Sequence, residues 1–374
     1  MWTLLWLVAC APPPSVGASD DLPALGPTTG DTGQVPTTST STSTGSDSPG
    51  RLALLSLNLH CLKLDGTAFA DLDARWEAIA EAVAEGEVDV LALQEVCLAE
   101  DVDALAQLEV ALEEATGDGW SAAFALAHVA WEGTADEADE GVGLLSRVGL
   151  SEPKELAYVD PGELRRVGLL ATLDDGTTVT TVHLDYGDEA AREDQARQTA
   201  SQALAASPSL DVVVAGDLNA RAGSATYDAF GPMGFRAGST EAGAAIDHAF
   251  VHRGSRWQVE RSEAWFEGSE AVSDHPGVFV ELVAGEPEPV VVTRIVARVD
   301  VGFGHSLSVR GDTLPLSWER GWWAWPAAAD RWELVLTEVG GGFVYKTLVD
   351  DATWQVGDDV AGSEGVDNEV TPSF

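Results

Sequence analysis

Six apolar runs along the chain stop at residues able to do chemistry: Asn58, Glu95, His183, Asp217 with Asn219, Asp247, and Asp274 with His275. Carboxylates and an amide are hard oxygen ligands that suit Mg²⁺, Mn²⁺ or Ca²⁺. A histidine can donate a proton to a phosphoryl group or accept one. An aspartate beside a histidine can orient it. Together these types offer charge neutralisation, a held water and proton transfer, which is what hydrolysis of a phosphoester requires. Each is also an ordinary turn residue, and Gly216-Asp217-Leu218-Asn219 alone reads equally well as a turn. Turn chemistry does not explain the repetition.

The runs that position these residues alternate with helical patterns. Arg51–Leu59 and Val88–Val96 read as buried strands around a helix over 71–85, where Trp76, Ile79, Ala80 and Val83 share a face and Asp71 caps the start. A helix over 101–115 and a strand over 122–130 follow, and the apolar pattern restarts at Gly141. Arg166–Leu173 and Thr177–Leu184 flank Asp174-Asp175-Gly176, a hairpin signal. A helix over 189–206 ends at Ser207-Pro208, before the Val-rich run into Asp217. Further strands are predicted at 245–251, 257–265 and 277–283. This βα alternation predicts a layered α/β domain, in which ligands gather beyond strand ends. On a strand His248 faces away from whatever Asp247 faces. His60 reads as structural, and His128, His252 and His305 as incidental. Arg165, Arg166 and Arg192 read as partners of internal carboxylates, and the acidic stretch 132–140 as solvated surface.

Composition narrows the substrate. Among 374 residues, 62 acids face 20 bases, for a formal net charge of −42. Duplex nucleic acid is held largely through basic contacts to phosphate, so high-affinity nucleic-acid binding is not expected. A divalent cation can supply positive charge locally, and small phosphoester substrates stay open. A monomer is expected. Met1–Cys10 is apolar but too short to span a bilayer. Leu7-Val8-Ala9-Cys10 resembles a bacterial lipoprotein signal, which implies a lipid on Cys10, a membrane partner and a place in the cell envelope, or secretion. Its lack of Lys and Arg departs from the usual signal. Residues 11–50, rich in Pro, Ser and Thr, read as a flexible tether. Cys61 and Cys97 each follow a strand by a few residues and form either a disulfide or two buried thiols.

The ordered set LNLH (Asn58), LALQEV (Glu95), GLLSR (Ser146, Arg147), TVHL (His183), GDLN (Asp217, Asn219), IDHAF (Asp247) and SDHPGV (Asp274, His275) resembles the endonuclease/exonuclease/phosphatase superfamily, the DNase I-like fold, over residues 51–283. The resemblance implies a four-layer α/β sandwich of two mixed sheets flanked by helices, and a metal-dependent phosphoesterase. Glu95 would hold the metal with Asn58 and Asp274. His275, paired with Asp247, would contact the phosphate or act as acid or base. Asp217 and Asn219 would position the attacking water, and His183 would stabilise the phosphate from the other side. The loops around the site are short and acidic, so small phosphodiesters, phospholipid head groups or phosphorylated sugars fit better than a long duplex.

Beyond Glu286–Pro289 the character changes to short strands with many Gly and Trp, which predicts a small β-sandwich over 290–374. Leu316-Ser317-Trp318, Tyr345-Lys346 and Trp354-Gln355-Val356-Gly357 resemble starch-binding-like immunoglobulin-type sandwiches. That resemblance implies a glycan partner through exposed Trp faces, with Trp323 and Trp325 as candidates. The other reading makes the tryptophans core of a spacer domain.

Overall fold

The computed structural model describes residues 50–61, 71–100, 102–239 and 245–374. The proposed Cys10 signal and all but the last residue of the tether lie outside them. Strand β1 (Arg51–Asn58) leads to helix α1 (Leu72–Glu85), β2 (Val90–Ala99), the short β3 (Val102–Asp103), α2 (Ala104–Thr116), β4 (Ser121–Ala130) and β5 (Ala138–Ser146). Next come β6 (Ser151–Ala157), β7 (Val167–Thr172), β8 (Thr178–His183), α3 (Glu189–Ala206), β9 (Val212–Asp217), the short α4 (Ala225–Asp228) and β10 (Phe235–Ala237). The α/β part closes with β11 (Asp247–His252), β12 (Trp257–Trp265) and β13 (Gly277–Ala284). Asp71 caps α1 and Asp103 caps α2, each accepting from a backbone N–H inside the first turn.

Two mixed sheets result, ordered β12-β13-β1-β2-β5-β4 and β10-β11-β9-β8-β7-β6. Their inner faces meet through a core that includes Leu54, Val90, Ala92, Val213, Ala215, Ala249 and Val280. Trp76, Ile79, Val83, Leu108 and Leu112 pack α1 and α2 on the outer face of the first sheet. Ala196, Ala200, Ala203 and Leu204 pack α3 on the outer face of the second. Strands β1, β2, β8 and β9 are buried on both faces, which is why β9 and the start of β2 read as apolar runs; β8 instead buries Thr178, Thr180 and Thr181.

Register gathers the strand ends. His183 lies opposite Asp217 across the parallel β8–β9 pair, and Asp217 opposite Asp247 across β9–β11. Gly216 makes that alignment possible: at φ 150° it passes so close to β8 that a Cβ would lie 2.0 Å from the Val182 carbonyl oxygen. In the first sheet Asn58 lies opposite Gln94.

Past β13 come β14 (Thr293–Arg298), β15 (Leu307–Gly311), β16 (Trp322–Trp323), β17 (Trp325–Ala328), β18 (Arg331–Leu336), β19 (Gly342–Val349), β20 (Thr353–Trp354), β21 (Val360–Ser363) and β22 (Asp367–Val370). They form two sheets, β17-β18-β14-β22 and one built on β16-β15-β19-β20 with β21. The sandwich packs directly on the α/β part. Its Trp322, Leu334, Leu336 and Tyr345 belong to one core with Ala200, Leu204 and Phe230 of the α/β part. The Arg197 guanidinium lies 3.9 Å from the Trp322 ring centroid, Ser201 Oγ donates to the Trp323 carbonyl at 2.8 Å, and Trp323 Nε1 donates to Asp194 at 3.0 Å. Trp322 and Trp323 are therefore occupied by this contact and by the sandwich core.

Candidate active site

The strand ends supply three carboxylates (Glu95, Asp217, Asp247), two histidines and two amides, linked by direct contacts. Asp217 is the hub. Its Oδ1 accepts from the Asn219 backbone N–H at 2.7 Å and its Oδ2 from Asn58 Nδ2 at 3.2 Å. The same Oδ2 lies 3.6 Å from His183 Nε2 and 3.8 Å from His275 Nδ1. Asn58 Nδ2 also donates to Glu95 Oε1 at 2.9 Å. Glu95 sits in a bulge of β2 with φ 48°, so it leaves the ladder and turns from the sheet. Asn219 adopts φ 49°, and its Nδ2 donates to the Leu184 carbonyl at 3.0 Å. Left-handed backbone at non-glycine residues is strained, and at Glu95 and Asn219 it aims side chains of the site.

The two histidines are in opposite states. His275 Nδ1 is 2.8 Å from Asp247 Oδ2. Partial burial opposes its charge, but the hydrogen bond and charge of Asp247, with Asp217 and Asp274, outweigh that and raise its pKa to about 9. His183 is buried, and burial plus the nearby Arg166 charge hold it well below its ordinary value. Its Nδ1 lies 3.1 Å from Arg166 Nη1. A guanidinium can only donate, so Nδ1 must accept. The neutral ring then carries its proton on Nε2, which faces Asp217. Asp217 itself is pushed up, first by burial and then by the Asp247 charge beside it.

Residues 55–275 match the endonuclease/exonuclease/phosphatase family. The chain belongs to that family. Its members are phosphoester hydrolases. Solved structures similar to it include an endonuclease/exonuclease/phosphatase family protein from Leptotrichia buccalis (16% identity, TM-score 0.48, covering 62% of this chain and 99% of that one). Another is the family protein from Beutenbergia cavernae (17%, TM-score 0.48, 84% and 100%). A third is a mannosyl-6-phosphatase from Bacteroides thetaiotaomicron (18%, TM-score 0.46, 62% and 99%). The search of curated proteins gave no match.

The family generally uses a divalent metal, and the donor chemistry here fits one. Among the described residues, Asp217, Asp247 and His275 place ligand atoms within 4.8 Å of one another. Asp247 Oδ1 is buried and accepts no hydrogen bond there, which leaves it for a cation. The set expected from sequence was Asn58, Glu95 and Asp274. The first two touch, whereas Asp274 pairs with His60, Oδ1 to Nδ1 at 3.1 Å, at the exposed edge of the site. The other gathered set, Cys61, Cys97 and Glu140, offers no thiols, because the cysteines are bonded to each other as a disulfide across 5.1 Å between Cα atoms.

Some residues near the site were read otherwise from sequence. His60, which reads as structural from sequence, faces Asp274, and its backbone N–H donates to Asn58 Oδ1 at 2.9 Å. Glu140 lies in the stretch that reads as solvated, but it is a β5 residue 3.7 Å from Arg166 and 3.8 Å from His128. Burial first, and then the Glu95 charge, raise it to about 7. The only signal was an acid at the head of an apolar run, easily lost in an acidic loop. Arg147 lies at the far end of the sheet, paired with Asp89 at 2.9 Å, and plays no part in the site. His248 turns outward, its Nε2 2.8 Å from the Ala220 carbonyl.

Proposed function

We propose that the protein is a divalent-metal-dependent phosphoesterase that hydrolyses a small or lipid-linked phosphoester by in-line attack of water. The observation that carries this is the pair of unlike histidines on either side of the buried Asp217 carboxylate. His275, held protonated by Asp247, offers a cationic donor to a phosphoryl oxygen or to the departing alkoxide. His183 offers a neutral Nε2–H to another oxygen. Asp217 takes the proton of the attacking water, or orients it, and Asn219 steadies that water with its amide oxygen. The water oxygen bonds to phosphorus, the ester P–O bond breaks, and the alkoxide takes a proton. Asn58, Glu95, Asp247 and Asp274 are the donors that would hold Mg²⁺ or Mn²⁺, which when bound neutralises charge on the phosphoryl oxygens. Bis-p-nitrophenyl phosphate with Mg²⁺ tests this: hydrolysis should stop with chelator and fall steeply in Glu95→Ala and His275→Ala. An unchanged rate in both variants would sink it. The net charge of −42 argues against a nuclease, and little plasmid cleavage at moderate salt is expected.

A glycan partner for the C-terminal sandwich is a second reading, with Trp318 and Trp354 in place of Trp323 and Trp325. Trp323 is buried and Trp325 half-exposed, whereas Trp318 and Trp354 are 36% and 42% exposed with ring centroids 6.2 Å apart. Arg310, bonded to Asp351, lies 5.3 Å from the Trp354 ring. Two adjacent open rings suit stacking on sugar faces. Calorimetry with soluble oligosaccharides should show binding that is lost in Trp318→Ala and Trp354→Ala; no binding by the intact protein refutes it. A lipid on Cys10 in the cell envelope is also proposed, supported by the Cys61–Cys97 disulfide, which suits an oxidising compartment. Radiolabelled palmitate should enter the protein but not its Cys10→Ala variant.

A further inference from the structure

A cavity of about 380 Å³ adjoins His275 and Asp247, between the start of β11, the end of β12 and the turn into β13. Its size is near the lower end for small-molecule sites, roughly 300–1,000 Å³. The walls away from the two catalytic candidates include Ile246, Ala264, Pro276 and Val278. No Lys or Arg is among the described residues that line it. Glu263 lines it too, but its carboxylate lies 3.5 Å from Arg261 and accepts from Trp265 Nε1 at 3.4 Å. Glu267 adds a negative charge. A second phosphate or a carboxylate placed against these walls would meet the acids Glu267 and Asp274, and no cation besides His275 at the mouth.

The opposite flank is chemically different. Beyond His183 stands Arg166, with the exposed Tyr186 ring 5.9 Å from its guanidinium. Arg166 is buried behind His183, so a phosphoryl group seated between the two histidines has a polar side at His183 and Tyr186 and an apolar side beyond His275. We infer that the apolar cavity is a substrate subsite for a compact, uncharged apolar substituent esterified to the scissile phosphate. This rests on the phosphoesterase reading and narrows it. Alkyl and aryl esters are favoured, and substrates carrying a second anionic group at that position are disfavoured.

The test uses the full-length protein with Mg²⁺ and n-alkyl p-nitrophenyl phosphodiesters from methyl to hexyl, with bis-p-nitrophenyl phosphate alongside. Burial of one methylene is worth roughly three- to fourfold in affinity. The inference expects kcat/KM to climb by about that factor per carbon and then level off as the cavity fills. Ala264 is exposed on the β12 edge and outside the proposed machinery. Ala264→Phe should flatten the series while leaving the methyl ester within about twofold, since that ester does not reach the wall. A flat series in the wild type together with unchanged bis-p-nitrophenyl turnover in Ala264→Phe overturns the inference. A flat series with bis-p-nitrophenyl turnover reduced at least fivefold in that variant supports it, with the aryl group as occupant. No hydrolysis of any ester, by contrast, would defeat the phosphoesterase reading itself.

Discussion

His183 and His275 end neighbouring parts of the same site and share Asp217, yet their second partners differ in sign. Asp247 sits 2.8 Å from one ring and Arg166 3.1 Å from the other. The first partner raises its imidazole to about 9, and burial with the second drives the other down. Identical side chains thereby become a cation and a neutral donor. The residue type says only that protons can move, and the neighbour decides which way. A phosphate between them would meet one full charge and one dipole, not two cations repelling each other.

Breaking the charged half should cost most. His275→Ala is expected to lower kcat/KM by about a thousandfold, within the usual range for a lost acid–base group. Asp247→Asn should lower it by about a hundredfold and return the His275 titration from near 9 toward its ordinary value, readable by NMR in chelator-treated protein. Breaking the neutral half should cost less. Arg166→Met frees Nδ1 and should reduce kcat/KM by about tenfold, with the His183 nitrogen shifts leaving the Nε2–H pattern. It also strips a nearby cation from buried Glu140, so a loss of about 2 kcal/mol is expected, recovered in part by Glu140→Gln. The smallest effect is on stability against pH. The raised His275 pKa means that its pairing stabilises fully below the ordinary value near 6.5 and is lost as pH rises through about 9. Discounted for solvent screening, the gap in urea unfolding free energy between wild type and Asp247→Asn should shrink by about 1–2 kcal/mol from pH 6 to 9.5 in chelator.

The same lesson holds for the helices. α1 shows its buried face in its spacing, because its other face meets water. α3 shows almost none: Ala196, Gln198, Thr199, Ser201 and Gln202 are buried around it. Its inner side packs on the second sheet, and its outer side bonds to the sandwich at Trp323 and Ala324. The C-terminal strands read from composition thus also cover that helix. Small and amide side chains suit a helix pressed between two layers, but nothing local distinguishes them from surface residues.

Most strands, the three longer helices, and the ordered strand-end residues were legible in the chain itself. Each depends on local patterns: apolar runs, caps, and a polar residue where a run stops. The family motifs belong to the same class. The tertiary structure decided what depends on cross-chain register. It set Asp217 against both His183 and Asp247, bonded Cys61 to Cys97, and brought Arg166 and Glu140 behind the site. It also left Asp274 with His60 at the exposed edge. Charge state follows from distance and burial, and residues far apart in sequence acquire neither until the sheets pair.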